Sequence, residues 1–235
     1  MRRVAAYFGT RDYYPMMVMA AKSLLYHTRM DRVWFLIEDD EFPEALPEVI
    51  RTKNISRQEW FPEGGPNYGA HWTYTCLLPL AFPEIFPDEN RILRLDDDTV
   101  VRKDIGELLD MDLEGNVAAM VEEPVRSLFP FRYFNAGVAL MDLERLRETG
   151  RYRKMIDLAN REQLTAMDQD AINVFCQGEI LKLDPRWNDA GHITEYTKDP
   201  YIMHYAGTRK KLMAQEYEQY RNMEWRVKGN AGKGE

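Results

Sequence analysis

The stretch Arg91-Ile-Leu-Arg-Leu-Asp96-Asp97-Asp98-Thr99-Val100-Val101 decides how the rest of this chain is read. It is an aliphatic run that ends abruptly in three carboxylates. Such a run is what a buried strand of an open α/β sheet looks like, and ligands of these sheets bind in the crevice beyond the carboxyl ends of the strands. Three adjacent acids repel one another there unless a cation neutralises them, and aspartate oxygens are hard ligands suited to Mg²⁺ or Mn²⁺. The competing reading is a solvated acidic turn, since Asp is common where a strand gives way to a loop.

Context on both sides favours the strand. Upstream, Val4 to Phe8 reads as a first strand and Gly9 to Asp12 as the turn after it. Tyr14 to Tyr26 is dense in Met, Ala and Leu, with Pro15 in its first turn, and predicts a helix. Arg32 to Ile37 is a second strand, followed by an irregular stretch with Pro43, Pro47, Pro62 and Pro66 around the loop at Gly64-Gly65. Trp72 to Phe82 is a helix leading into the acidic strand. Downstream, strands are expected at Val117 to Val121, Ala136 to Met141, Ile180 to Leu183 and Tyr201 to Tyr205. Helices are expected over Asp142 to Asn160 (interrupted near Gly150), Met167 to Cys176 and Arg209 to Val227. Alternating strands and helices predict one α/β sandwich with a mostly parallel sheet, covering residues 1–228, and a frayed tail over 229–235.

The bulk numbers bound the function. A chain of 235 residues, 45% hydrophobic and 30% charged, is long enough for one sizeable core. A net charge of −8 excludes a general nucleic-acid binder, whose footprint is basic. Cys76 and Cys176 form no CxxC pair and read as buried free thiols in a reducing compartment. No apolar run approaches the roughly 20 residues of a membrane span, and Val4 to Phe8 is too short for a leader's apolar core, so a cytoplasmic location is expected. The C-terminal helix carries Arg221, Arg226 and Lys228 with Tyr217, Tyr220 and Trp225. Peripheral contact with the inner face of the membrane is one reading of it. Its interspersed Glu216, Glu218 and Glu224 favour an ordinary solvated amphipathic helix.

Four further segments carry chemistry. In Tyr133-Phe-Asn135-Ala-Gly137, Asn135 is placed to point into the crevice and Gly137 to admit a ligand close to the backbone, or else simply to permit close packing. Asp168-Gln169-Asp170 opens a helix; capping accounts for one acid, and the cluster could bond the hydroxyls of a polar ligand. Trp187-Asn188 reads as core packing for the indole and a turn cap for the amide. In His204-Tyr-Ala-Gly207-Thr-Arg-Lys210, a glycine permits backbone approach and a lysine neutralises phosphate. His27, His71 and His192 have no such company.

Taken in order, these segments resemble the retaining glycosyltransferases of family 8, the group that includes glycogenin and bacterial lipopolysaccharide galactosyl- and glucosyltransferases. The resemblance runs from Val4 to about Lys211. It implies a single-domain GT-A nucleotide-sugar-binding fold using Mn²⁺ (or Mg²⁺), with UDP-glucose or UDP-galactose as donor and a saccharide as acceptor. By this resemblance Asp96 and Asp98 are the DxD carboxylates that hold the metal, with Asp97 the variable middle residue, and His204 is the third metal ligand. Gly207 and Lys210 match the diphosphate-binding turn, and Asn135 and Gly137 the segment beside the donor sugar. Asp168 and Gln169 match the Asp-Gln pair at the sugar, with Gln169 facing the anomeric carbon. Phe8, Thr10, Asp12 and Tyr13 lie where the family grips base and ribose. Because Gln169 is a poor nucleophile, same-face attack, with the leaving phosphate accepting the acceptor's proton, is expected over the covalent route of retaining glycosidases.

The chain departs from the family's pattern at three places. Thr75 and Cys76 stand where the family carries a basic residue, so that charge is either lost or supplied by Arg11 or Arg209. Lys211 replaces the usual proline, and Glu122 to Phe131 matches no family segment. Two rivals remain. One is a haloacid-dehalogenase-like phosphatase with Asp96 as nucleophile and Asp98 as acid/base. That family's motif normally falls on the first strand, however, and no downstream Gly-Asp-x-x-x-Asp motif follows here. The other is a nucleotide-sugar-binding pseudoenzyme or interaction module, against which Asp96, Asp98, His204 and Lys210 together speak.

Overall fold

A computed structural model describes residues 2–69, 72–124, 131–191 and 197–229. Strand β1 (Val4–Phe8) leads through a 3-10 turn into helix α1 (Tyr14–His27), then β2 (Arg32–Ile37) and β3 (Ile50–Asn54). A 3-10 segment (Tyr74–Ala81) and α2 (Phe82–Ile85) precede β4 (Arg91–Leu95), β5 (Thr99–Val101) and α3 (Gly106–Leu109). There follow β6 (Ala118–Glu122), β7 (Phe134–Asp142), α4 (Leu143–Thr149), α5 (Arg151–Arg161), α6 (Asp168–Phe175), β8 (Ile180–Leu183), β9 (Ile202–His204) and α7 (Ala214–Arg221).

Seven strands form one sheet in the order β3-β2-β1-β4-β7-β6-β8. All run parallel except β7, which is antiparallel to both β4 and β6. The mostly parallel sheet expected from sequence is borne out. Its residues face two cores by the period-two rule. Val4, Ala6 and Phe8 turn to the side covered by the 3-10 segment, α5 and α6, while Ala5 and Tyr7 turn to α1.

The reversed strand builds the site. Leu95 pairs with Val138, and the Asp96 amide donates to the Gly137 carbonyl at 2.9 Å. The beginning of β7 therefore lies beside the end of β4. A second, two-stranded sheet pairs Thr99 of β5 with His204 of β9, which brings His204 to the acidic triplet. Met19, Val100, Met203, Tyr205, Met213 and Tyr220 pack together and fasten this small sheet and α7 to α1.

Three elements differ from expectation. Tyr74–Ala81 is a 3-10 rather than an α-helix, with Pro79 inside it and lacking the amide an α-helix would use. Strand β3, Ile50-Arg-Thr-Lys-Asn54, is a polar edge strand whose sequence lacks the apolar pattern that marks strands. The terminal helix stops at Arg221, because Trp225 and Val227 fold back onto the α1 core and the Lys228 amide donates to the Leu25 carbonyl. Apart from Gly229, the tail over 229–235 lies outside the described residues, as do His71 and His192. No helix among the described residues is long and apolar enough to cross a membrane.

Candidate active site

The triplet turns tightly after β4: the Thr99 amide and hydroxyl both donate to the Asp96 carbonyl, at 3.2 and 2.6 Å. This turn sends the side chains of Asp96 and Asp98 to the same corner. His204 Nε2 lies 3.5 Å from Asp96 Oδ2 and 3.2 Å from Asp98 Oδ1, and one ligand atom from each of the three residues falls within 4.8 Å of the others. Asp98 is 5% exposed, yet its Oδ1 meets no hydrogen-bond donor among the described residues. A buried carboxylate oxygen left this way is costly. Its Oδ2 lies 3.1 Å from Lys210 Nζ.

Electrostatics here are set by crowding. Burial pushes the Asp98 carboxyl up, but His204 and Lys210 outweigh it and hold the group well below the usual range. Burial disfavours the charged His204, while Asp98 and Asp96 override it and raise its pKa. Asp97 is pushed well up by burial and then by the charges of Asp98 and Asp96. The corner thus favours positive charge between its carboxylates, which a divalent cation would supply. Two carboxylates and an imidazole fit Mn²⁺ or Mg²⁺.

The orientation of His204 follows from a relay. The Gly137 amide donates to Asn135 Oδ1 at 3.0 Å, so that oxygen is an acceptor, and the Asn188 amide nitrogen donates to it at 2.8 Å. Asn188 Oδ1 is thereby left to accept from His204 Nδ1 at 2.9 Å. With Nδ1 carrying a proton, a neutral His204 presents the Nε2 lone pair to the carboxylates. Asn188 is fully buried; sequence reading assigned it a turn cap and missed this role. Trp187 is core, as expected.

Opposite the metal corner stands the start of α6. Asp170 is the structural acid: its Oδ2 accepts from the amides of Thr165 and Ala166 at 2.8 and 2.7 Å, and its Oδ1 from the Tyr133 hydroxyl. Asp168 is turned into the cavity instead. Its predecessor Met167, buried and at φ 51° and ψ −125°, holds a positive-φ conformation that strains a non-glycine residue by about 1–3 kcal/mol. Burial lifts the Asp168 carboxyl to about 7, against the pull of Arg94. Gln169 is locked at both ends: Oε1 accepts from the Ala136 amide at 2.9 Å and Nε2 donates to Glu123 at 3.0 Å.

These groups line one cavity of about 610 Å³, large enough for a substantial polar ligand. Phe8, Tyr13, Asp96, Asp97, Asp98, Asn135, Gly137, Asp168, Gln169, His204, Gly207 and Lys210 all reach its wall. Thr10 and Asp12 sit on the same turn as Tyr13 but outside the wall. Gly137 makes room for a protein group: a side chain there would collide with His204. Arg11 pairs with Asp39 and Arg209 with Asp189, so neither supplies the charge missing at Thr75 and Cys76. Arg94, Glu123 and Trp72 also line the cavity; nothing in the sequence pattern marked them. Cys76 faces the cavity and only Cys176 is fully buried.

This sheet, with one reversed strand and acids at the end of β4, is a GT-A architecture. A galactosyltransferase, LgtC, in complex with donor and acceptor sugar analogues has a similar fold, with a TM-score of 0.68 and 20% identity over 93% of this chain and 95% of that one. The model of glycosyl transferase family 8 matches residues 4–211, and the chain belongs to that family. Among curated relatives, general stress protein A of Bacillus subtilis is 26% identical over 65% of this chain and 64% of its own length. Lipopolysaccharide 1,3-galactosyltransferase of Salmonella typhimurium is 25% identical over 80% and 64%. The chain thus spans less than two thirds of the length of either relative.

Proposed function

We propose that the protein is a metal-dependent retaining glycosyltransferase, one domain over residues 1–228, that moves glucose or galactose from a UDP-sugar to a saccharide or other hydroxyl acceptor in the cytoplasm. The observation that carries this reading is the convergence of Asp96, Asp98 and His204 around an oxygen without a donor, beneath Lys210 and across the cavity from Asp168 and Gln169. A divalent cation held by those three residues would neutralise charge on the departing nucleoside diphosphate.

Lys210 would add its ammonium to the same diphosphate. Asn135 and the locked Gln169 would border the sugar, and Asp168 would accept from its hydroxyls, fixing the anomeric carbon in place. Phe8 and Tyr13 would hold the base and ribose. Both ends of Gln169 are engaged by Ala136 and Glu123, which holds an already weak amide nucleophile in place. Retention would then proceed by same-face attack, with the acceptor's proton passing to the leaving phosphate oxygen. Supporting the reading are family membership and the completeness of the metal and diphosphate constellation.

A thermal-shift panel of UDP, UDP-glucose, UDP-galactose, GDP and ADP, each with Mn²⁺ and with EDTA, tests it. Ligand at about 100 times its dissociation constant should add roughly 2.7 kcal/mol. Stabilisation by uridine compounds with Mn²⁺ and slow release of UDP from one sugar are expected. No response to any nucleotide would sink the transferase reading.

A further inference from the structure

Arg94 lies on β4, two residues before the triplet, and is 3% exposed. One terminal nitrogen sits 3.0 Å from Asp96 Oδ1 and 3.1 Å from Asp168 Oδ2. The other donates to the Ala136 carbonyl at the start of β7, and the guanidinium lies over the Phe8 ring, 5.2 Å from its centroid. It therefore touches a carboxylate of the metal corner, a carboxylate of the sugar side and the strand between them. A buried guanidinium is tolerated only when paired on several sides, and its planar fork can serve divergent acceptors in a way a point charge cannot.

We propose that Arg94 is a positioning residue that ties Asp96 to Asp168, so that the metal loop and the sugar-binding end of α6 keep one fixed separation. The proposal rests on the glycosyl-transfer reading. Charge that family resemblance places on the segment at Thr75 and Cys76 enters this cavity from the strand instead. Cys76 lines the same cavity as Asp96 and Asp168, so position 76 is where a guanidinium can be returned to it from the neighbouring segment. Asp96 faces Arg94 through Oδ1, while its Oδ2 is the atom nearest His204. The bridge and the metal corner thus use different oxygens of one side chain.

The test compares wild type with Arg94→Met, Arg94→Lys and the relocated pair Cys76→Arg/Arg94→Met. Three quantities are read: the metal-free melting temperature, UDP affinity with Mn²⁺ by calorimetry, and kcat and KM for the donor. Arg94→Met should melt about 10 °C lower, because it strands the buried Asp168 carboxylate and takes a partner from the half-buried Asp96. Its UDP affinity should stay within about threefold, since Lys210, Asp98, His204 and the Asp96 Oδ2 that faces His204 all remain, while kcat falls by about 100-fold from misplacement of the sugar. Arg94→Lys should lose most of kcat as well, because one ammonium cannot hold the Ala136 carbonyl while standing between Asp96 and Asp168, and the side chain loses the fork that fixes its place. The relocated pair should regain about tenfold in kcat, which a merely structural arginine would not allow.

A kcat within threefold of wild type in folded Arg94→Met overturns the proposal, as does a folded relocated pair with no recovery. If Arg94→Met fails to fold, Arg94→Lys decides alone: loss of kcat at unchanged UDP affinity supports the bridge, and unchanged kcat refutes it. Failure of the transferase reading is seen separately, as wild type that binds no nucleotide. The bridge is then judged in metal-free protein, where Arg94→Met and Asp168→Asn must be non-additive in melting temperature, and additivity refutes it.

Discussion

Gly137 and His204 occupy touching space: a Cβ at position 137 would lie 2.1 Å from Cε1 of His204 and 2.5 Å from Nδ1. No alanine fits there unless the ring leaves its place between Asn188 and the two carboxylates. Gly137→Ala should therefore cost about 1–3 kcal/mol of stability by overpacking and sharply reduce Mn²⁺-dependent donor turnover. Denaturant melts and initial rates check both. Undiminished turnover would mean that His204 is not needed where it stands.

The relay through Asn188 makes a second expectation. Asn188→Ala removes the acceptor that holds the proton on His204 Nδ1, and loss of such a partner typically weakens metal binding about 10–100-fold. Titration of free Mn²⁺ by electron paramagnetic resonance reads this directly. An unchanged isotherm would dismiss the relay.

Asp98 faces both His204 and Lys210. Asp98→Ala should abolish metal-dependent turnover while leaving the far-ultraviolet circular dichroism spectrum intact. Because His204 and Lys210 outweigh the burial cost of this carboxylate, its removal should also lower the melting temperature without unfolding the protein. Near-normal rates in a folded variant would refute the metal assignment.

The pH dependence of stability should carry a signature of Asp168. Its folded pKa of about 7 lies above the roughly 3.9 of an unfolded aspartate, so the folded state binds the proton more tightly. The stability this provides is complete below about pH 4 and is lost as the pH rises through about 7. Metal-free wild type should therefore lose melting temperature relative to Asp168→Asn across that window. Parallel curves for the two proteins would contradict the shifted carboxyl.

Much of this was legible in the sequence because it is local. An apolar run ending in Asp96, Asp97 and Asp98 marks both a buried strand and a charge problem, whereas the roles of His204, Gly207 and Lys210, far downstream, rest on resemblance to the family. What sequence reading missed depends on distant contacts. Asn188 is unremarkable until Asn135 fixes which of its atoms faces His204. Arg94 looks like a polar interruption of β4 until α6 brings Asp168 beside it. Gly137 was recognised as a close approach, but the approaching group comes from β9. Strand β3 escaped because hydrogen bonding to β2 holds it in the sheet with few apolar side chains.

The pairing of Thr99 with His204 also sets a schedule for biosynthesis. A growing chain exposes Asp96, Asp97 and Asp98 long before the ribosome has delivered the strand that answers them. Closing so large a loop costs entropy before the contact repays it. The acidic corner should therefore mature late, with Lys210 arriving almost together with His204. Until then the nascent domain carries three neighbouring negative charges at the mouth of its sheet and has no imidazole to help retain a cation.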